Sequence, residues 1–191
     1  MGLPRAAMLF SAAAVLALYP LVVYFAGTRG AWGVAFSAIA AASLLRLALT
    51  PRKSPLAKAG LCASLTALAL VALSALMSSY GLMLWYPVIV NASLLALFSF
   101  SLTGGHESAV TMLARTLTPD LPDYAVAYTR KVTAAWCVFF TVNGAIALAT
   151  VLLGNMKAWA FYNGLASYVL MGMMAAGEYA IRRRVRRLHG D

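Results

Sequence analysis

Uncharged apolar runs of about 20 residues recur along this chain, and they limit its fold more than any other feature. Crossing a bilayer core about 30 Å thick takes roughly 20 apolar residues in a helix. The runs predict six such helices, over residues 7–26, 32–49, 59–78, 82–102, 132–153 and 158–180. The chain is 63% apolar and only 10% charged, which is too little polar surface for a water-soluble domain of 191 residues. We therefore predict an all-α, multi-spanning membrane protein with one transmembrane domain over residues 1–191.

The positions of Lys and Arg predict the orientation of these helices. Positive residues in short loops are retained on the cytoplasmic side. With the N-terminus inside, all of the fifteen Lys and Arg residues except Arg29 and Lys157 fall on that side. The pattern favours cytoplasmic N- and C-termini in the bacterial inner membrane. Because this asymmetry explains the net charge of +10, we expect contact with membrane lipids and no nucleic-acid partner.

The loop between the fourth and fifth spans predicts a short amphipathic helix and a charged cytoplasmic interface. Ala109, Val110, Leu113 and Leu117 share one helical face, which is expected to lie on the inner membrane surface. The candidate interface residues are Arg115, Asp120, Asp123, Arg130, Lys131, Trp136 and Glu178. Asp123 has the chemistry of a helix cap. The alternative is that Asp120 and Asp123 form an acid/base pair for catalysis. Glu178 and Arg182 have the spacing of an i,i+4 ion pair.

Two asparagines are predicted at similar depths near the middle of the bilayer. Asn91 lies in the fourth span and Asn143 in the fifth. Polar side chains at that depth are costly unless they are paired. The pair is therefore either a hydrogen bond between helices or part of a polar site.

Aromatic residues and two Tyr-Pro pairs are predicted to gather at the outer ends of the spans. An interfacial aromatic belt is one interpretation, and an outward-facing cavity for a lipid-like tail is the other. The candidate cavity residues are Tyr19, Pro20, Trp85, Tyr86, Pro87, Trp159, Tyr162 and Asn163. Both prolines are expected to kink their helices.

The sequence offers little support for catalysis or metal binding. It has only five acidic residues and two histidines, and these do not complete a Ser/His/Asp set. The sequence also has no Gly-rich phosphate loop. Cys62 and Cys137 lack the Cys and His neighbours of a metal site. We predict a non-catalytic protein without metal or cofactor.

Two groups of motifs carry a family resemblance. Residues 130–144 (RKVTAAWCVFFTVNG), 159–164 and 19–25 (YPLVVYF) resemble the bacterial septation protein A (YciB) family. Residues 86–91 (YPVIVN), 103–105, 119–122 and 162–164 resemble an uncharacterised inner-membrane family often encoded beside fatty-acid-like and aryl-polyene biosynthesis genes. The resemblance covers about half of the chain and implies a protein of envelope biogenesis. The long first helix and its Tyr-Pro pair depart from the pattern, so a role in division does not carry over directly.

The residues and the resemblance together predict an accessory or scaffold protein in envelope biogenesis. Its expected contacts are lipids or polyene products, and either membrane-protein partners or a second copy of the chain. A small transporter or flippase for a lipid-like molecule is the alternative. A component of a membrane acyl or glycosyl transferase is a further one.

Overall fold

The computed structural model describes residues 18–49, 55–116 and 118–189, and all regular structure in these residues is helical. The α-helices are α1 Tyr19–Arg29, α2 Trp32–Leu49, α3 Pro55–Leu76, α4 Tyr86–Ser101, α5 Ala109–Arg115, α6 Asp123–Leu152, α7 Met156–Phe161 and α8 Ser167–His189. A 3-10 helix, Tyr80–Trp85, leads directly into α4, and a π-helix, Tyr162–Ala166, joins α7 to α8. The prediction of an all-α protein is confirmed.

Two of the described helices are long and apolar enough to cross a membrane. They are Tyr80–Ser101, with 22 residues, and Asp123–Leu152, with 30 residues. Trp32–Ala48 and Leu61–Leu76 are apolar but shorter. Much of the first predicted span, residues 7–17, lies outside the described residues, and the π-helix interrupts the sixth. By length and composition, the described part of the chain therefore supports two of the six predicted spans.

The start of α6 differs from the prediction. α6 begins at Asp123, well before residue 132 where the fifth predicted span starts, and continues without a break to Leu152. Pro122 is the N-cap residue and no side chain caps this helix, so the predicted Asp123 cap is wrong. Asp123 lies in the first turn instead, where its negative charge interacts favourably with the positive end of the helix dipole.

Each Tyr-Pro pair begins a helix. Pro20 lies in the first turn of α1 and Pro87 in the first turn of α4. A proline there removes no intrahelical hydrogen bond, because the first N–H groups of a helix have no partner within it. The kinks expected at Pro20 and Pro87 stay predictions, because residues 7–17 of the first predicted span lie outside the described residues and the 3-10 helix runs directly into α4.

α4 and α6 form an antiparallel hairpin. Near the C-terminal end of α4, the rings of Phe98 and of Phe140 in α6 meet edge to face with centroids 5.2 Å apart. Where α4 ends, Arg130 of α6 donates a 2.6 Å hydrogen bond to the Leu102 carbonyl. Carbonyls at a helix C-terminus have no intrahelical donor, so Arg130 fixes the end of α4 against α6.

One end of the bundle, called the aromatic end here, carries Trp32, Tyr80, Trp85 and Trp159. Trp32 and Tyr80 stack there with parallel rings 4.5 Å apart. Trp159 is fully buried, whereas Trp85 is partly exposed. The stack joins the start of α2 to the 3-10 helix.

The 3-10 helix is the anchor for α1 and α7. The Tyr19 ring stacks on Tyr86, with centroids 4.1 Å apart, and its hydroxyl donates to the Met83 carbonyl at 2.9 Å. The indole N–H of Trp159 donates to the Leu84 carbonyl at 3.0 Å. The two Tyr-Pro pairs are therefore in direct contact, and a core of large aromatic side chains closes the aromatic end.

A chain of buried hydroxyl groups joins α5 to α6. Ser108, the N-cap of α5, lies 2.7 Å from the Thr111 hydroxyl, which lies 2.7 Å from the Thr129 hydroxyl of α6. Thr129 is also within hydrogen-bonding distance of the Ala125 carbonyl at 2.9 Å. These groups form one hydrogen-bonded chain. The Ser108 hydroxyl donates to the Thr111 hydroxyl, which donates to the Thr129 hydroxyl, which donates to the Ala125 carbonyl. Polar contacts therefore place α5 against α6. Of the apolar face that the sequence predicts, Leu117 lies outside the described residues, and contact of this face with the membrane surface stays a prediction.

The closest approach in the hairpin generates a test. A Cβ atom at Gly144 would lie 3.1 Å from the Asn91 Cβ, whereas one at Gly172 of α8 would meet nothing within 4 Å. Because the contact leaves no room for a side chain, Gly144→Leu should lower the free energy of unfolding by about 1–3 kcal/mol. Thermal unfolding of the detergent-solubilised protein measures this loss.

Gly172→Leu is the matched control, because it makes the same chemical change in open space. Its melting temperature should stay the same or rise. Equal melting temperatures for the two variants would show that the gap between α4 and α6 tolerates a side chain.

Candidate functional site

The site residues predicted from the sequence fall at two ends of the bundle. One group lies near the aromatic end, on α1, α4, α6 and the π-helix. The other lies at the opposite end, called the arginine end here, which comprises α5, residues 118–124 and the last turns of α8.

The two asparagines of the hairpin are in direct contact. Asn143 Nδ2 donates to Asn91 Oδ1 at 3.0 Å, and both residues are buried. Asn91 Nδ2 donates in turn to the Pro87 carbonyl at 2.8 Å. The Tyr162 hydroxyl donates to Asn143 Oδ1 at 2.9 Å. The network links α4, α6 and the π-helix, so the interhelical hydrogen bond that the sequence allows is present.

The π-helix holds a second polar residue against α6. Asn163 Nδ2 donates to the Thr150 hydroxyl at 3.1 Å and to the Trp159 carbonyl at 2.9 Å. Gly164 lies so close to α1 that an added Cβ would be 3.3 Å from Leu21 Cδ2. π-helical turns are rare and frequent at functional sites. Here the π-helix connects α7 and α8 to both α1 and α6.

A small cavity lies beside this network. It has a volume of about 80 Å³ and is lined in part by Pro20, Tyr86, Asn91 and Asn163. Ligand pockets usually have volumes of about 300–1,000 Å³. The cavity has room for a few water molecules, and polar packing therefore accounts for the contacts of the asparagines around it.

The other candidates for an outer cavity have separate positions. Tyr19 and Trp159 are buried in the aromatic core, and Tyr162 is hydrogen-bonded to Asn143. Pro87 lines the small cavity together with Pro20, while Trp85 is 37% exposed. The predicted set is thus divided between a core, a polar network and a surface.

The residues predicted to form a cytoplasmic interface make mostly local contacts. Arg115 Nε pairs with Glu107 at 2.8 Å, and its Nη1 donates to the Pro119 carbonyl at 3.0 Å. Trp136 packs against Phe139, with ring centroids 5.4 Å apart. Asp123 and Lys131 are exposed. Arg130, as described above, caps α4.

A larger opening lies between α5, α6 and α8 and is called the α5–α8 cleft here. It has a volume of about 720 Å³, within the range of ligand pockets. Its apolar lining includes Val110, Leu113, Leu121, Ala125 and Val185. Its polar lining includes Asp120, Tyr128, Glu178, Arg182 and Arg186. Two of the candidate interface residues, Asp120 and Glu178, therefore line the same cavity.

Glu178 and Arg182 form an ion pair on the α8 side of the cleft. Arg182 donates to both carboxylate oxygens of Glu178, at 2.9 and 2.6 Å, which confirms the predicted ion pair. The hydrogen bond to Glu178 raises the pKa of Arg182 above its usual value, so the guanidinium stays charged. The Tyr128 hydroxyl of α6 donates to the Glu178 carbonyl at 3.1 Å and fixes α8 to one side of the cleft.

A second opening shares part of this wall and is called the arginine hollow here. It has a volume of about 280 Å³ and is lined by Tyr179, Arg182, Arg183, Arg186 and Arg187. The Arg183 guanidinium lies over the Tyr179 ring, 5.9 Å from its centroid. Arg182 and Arg186 line both openings.

Sequence reasoning missed the cleft and the residues on its α8 wall. A signal exists in the spacing, because the half-buried residues of α8 follow one helical face, namely Met171, Met174, Glu178, Arg182 and Val185. The hydroxyl chain of α5 gives no such signal, because Ser and Thr have no distinctive spacing there. No group of three or more His, Cys, Asp or Glu side chains within the described ranges is placed to hold a metal ion.

Comparison with known proteins gives no match to a family model, a curated protein or a solved structure.

The asparagine network generates a second test. Asn143→Leu leaves the Tyr162 hydroxyl and Asn91 Oδ1 without their partner, so it should lower the free energy of unfolding by about 1–3 kcal/mol. A double-mutant cycle with Asn91→Leu should give a coupling energy of about 0.6 kcal/mol, the average for hydrogen bonds between membrane helices. Unfolding of the purified variants under identical detergent conditions measures both values.

Thr141→Val serves as the control on the same helix. The Thr141 hydroxyl is exposed and bonds only to the Cys137 carbonyl one turn away. Its stability should change by less than about 0.5 kcal/mol. A zero coupling energy between Asn91 and Asn143 would rule out the structural role of their contact.

Proposed function

We propose that this chain is a multi-spanning protein of the bacterial inner membrane that acts without catalysis, as an accessory factor in envelope biogenesis. It has about six transmembrane helices, with both termini in the cytoplasm. The resemblance to the septation protein A family and to the inner-membrane family of polyene gene clusters is part of this hypothesis. The cleft is the surface through which it acts.

The α5–α8 cleft is the observation that carries the proposal. Three separate elements form its walls, and its mixed apolar and charged lining suits the binding of another molecule. By contrast, the buried asparagines of the hairpin bond to protein groups, which favours a structural role for them. With cytoplasmic termini, the cleft opens at the cytoplasmic surface, beside the arginines expected to lie near anionic headgroups.

The topology is tested by reporter insertion. Green fluorescent protein fused after Asp191 should fluoresce, because it folds in the cytoplasm. Alkaline phosphatase inserted between Gly154 and Asn155 should be active, because the six-helix arrangement places this turn on the outer side of the membrane. A protein with only the two spans Tyr80–Ser101 and Asp123–Leu152 would place both positions on one side. That outcome would exclude the proposed topology.

The accessory role is tested by complementation. Cells that lack the protein should become sensitive to detergents, and the wild-type chain should restore resistance. Ala125→Trp, which fills the cleft, should fail to restore it. Ala127→Trp, which adds the same bulk on the exposed side of α6, should restore it fully at equal abundance in the membrane.

Asp123→Asn separates this role from catalysis. Asp123 is exposed and lies outside the cleft, so its charge is dispensable for binding. An acid/base mechanism that uses Asp120 and Asp123 requires both carboxylates. Normal growth with Asp123→Asn is the expected result, and loss of complementation would favour a transferase.

A further inference from the structure

The α5–α8 cleft and the arginine hollow share Arg182 and Arg186 and lie on either side of them. The cleft has apolar side chains from α5, α6 and α8 beside its charged groups, and the hollow is lined by guanidinium groups and the Tyr179 ring. We propose that together they bind an amphiphile with a phosphate head, whose tail occupies the cleft and whose head lies in the hollow. This inference rests on the proposed function, because it names the molecule that the cleft takes.

The cleft has the surface that an apolar tail requires. Val110 and Leu113 come from α5, Leu121 from the following loop, Ala125 from α6 and Val185 from α8. These side chains are only partly buried in the protein. Covering them with a hydrocarbon chain removes apolar area from water, at roughly 25 cal/mol for each Å².

The charges of the hollow are unbalanced. Glu178 neutralises Arg182 through two hydrogen bonds. Arg183, Arg186 and Arg187 have no acidic partner among the described residues, whose ion pairs are Arg115–Glu107 and Arg182–Glu178. The hollow therefore carries net positive charge directly beside the apolar cleft.

The number and type of these groups favour phosphate. A single arginine satisfies a carboxylate through two parallel hydrogen bonds. Several arginines around one hollow match the larger charge and additional oxygens of a phosphate monoester. The Tyr179 ring orients Arg183 from the side of the hollow. A phosphorylated lipid and a free phosphorylated compound share this head, and the tail distinguishes them.

The test uses the full-length protein in a neutral detergent and dodecyl phosphate as the probe. Native mass spectrometry counts the bound molecules over a range of probe concentrations. Dodecyl phosphate should bind with one molecule per chain. Dodecan-1-ol has the tail without the head and inorganic phosphate has the head without the tail, so both should bind at least tenfold more weakly.

Arg186→Gln is the informative variant, because Arg186 lines both openings. It should weaken the binding of dodecyl phosphate by about tenfold or more, since it removes charge-assisted hydrogen bonds. Arg184→Gln is the matched control, because Arg184 is exposed on the same helix and lines neither opening. Its affinity should stay within twofold of the wild type. Ala125→Trp should abolish tail-dependent binding while leaving the protein folded, as checked by its melting temperature.

Four results would overturn the inference. Equal losses of affinity for dodecyl phosphate in Arg186→Gln and Arg184→Gln would mean that the overall positive charge of α8, and not a defined site, attracts the probe. Equal binding of dodecan-1-ol would mean that the head is not recognised, and equal binding of inorganic phosphate would mean that the ligand is a free phosphorylated compound.

If dodecyl phosphate fails to bind while Ala125→Trp still fails to restore resistance in cells, the cleft has another occupant and the accessory role stands. If Ala125→Trp complements while dodecyl phosphate binds, the accessory role fails and the site stands.

Discussion

The close contact between α4 and α6 is the constraint on which the rest of the structure depends. Apolar helices gain little free energy from burial against each other in a lipid environment, so small residues and polar contacts between helices decide how they pack. Gly144 lets α6 approach Asn91 within van der Waals distance, and the Asn91–Asn143 hydrogen bond then fixes the register. Arg130 holds the far end of the same hairpin. α3 packs against α4, and α5 packs against α6.

The two ends of the hairpin use their polar groups differently. At the aromatic end, Tyr162 and Asn163 of the π-helix bond to α6, and the hydroxyl of Tyr19 bonds to a backbone carbonyl. Polar groups that are satisfied within the protein make that end rigid and leave a cavity of only about 80 Å³. At the arginine end, the last turns of α8 extend beyond the hairpin, and Tyr128 fixes one point of contact. An open cleft between α5, α6 and α8 results.

Contacts could be predicted from the sequence where a residue has few alternative partners. The Glu178–Arg182 pair was predictable because both residues lie on one helix, one turn apart. The pairing of Asn91 with Asn143 was predictable because few polar groups occur in apolar runs and each needs a partner. Asp123 was misassigned because Pro122, with its extended backbone, takes the N-cap position. The sequence did not place Pro20 and Pro87 in the first turn of an α-helix, a position to which a proline is equally suited.

The sequence by itself determined the helical class and the apolar composition of the helices, because hydropathy and local spacing are properties of neighbouring residues. It also determined that Glu178 and Arg182 pair. Only the tertiary structure decided that α5 is fixed to α6 by hydroxyl groups and that α5, α6 and α8 enclose a cleft. Those features join residues far apart in the chain, and their geometry depends on how closely the helices approach. Composition and periodicity contain no information on that distance.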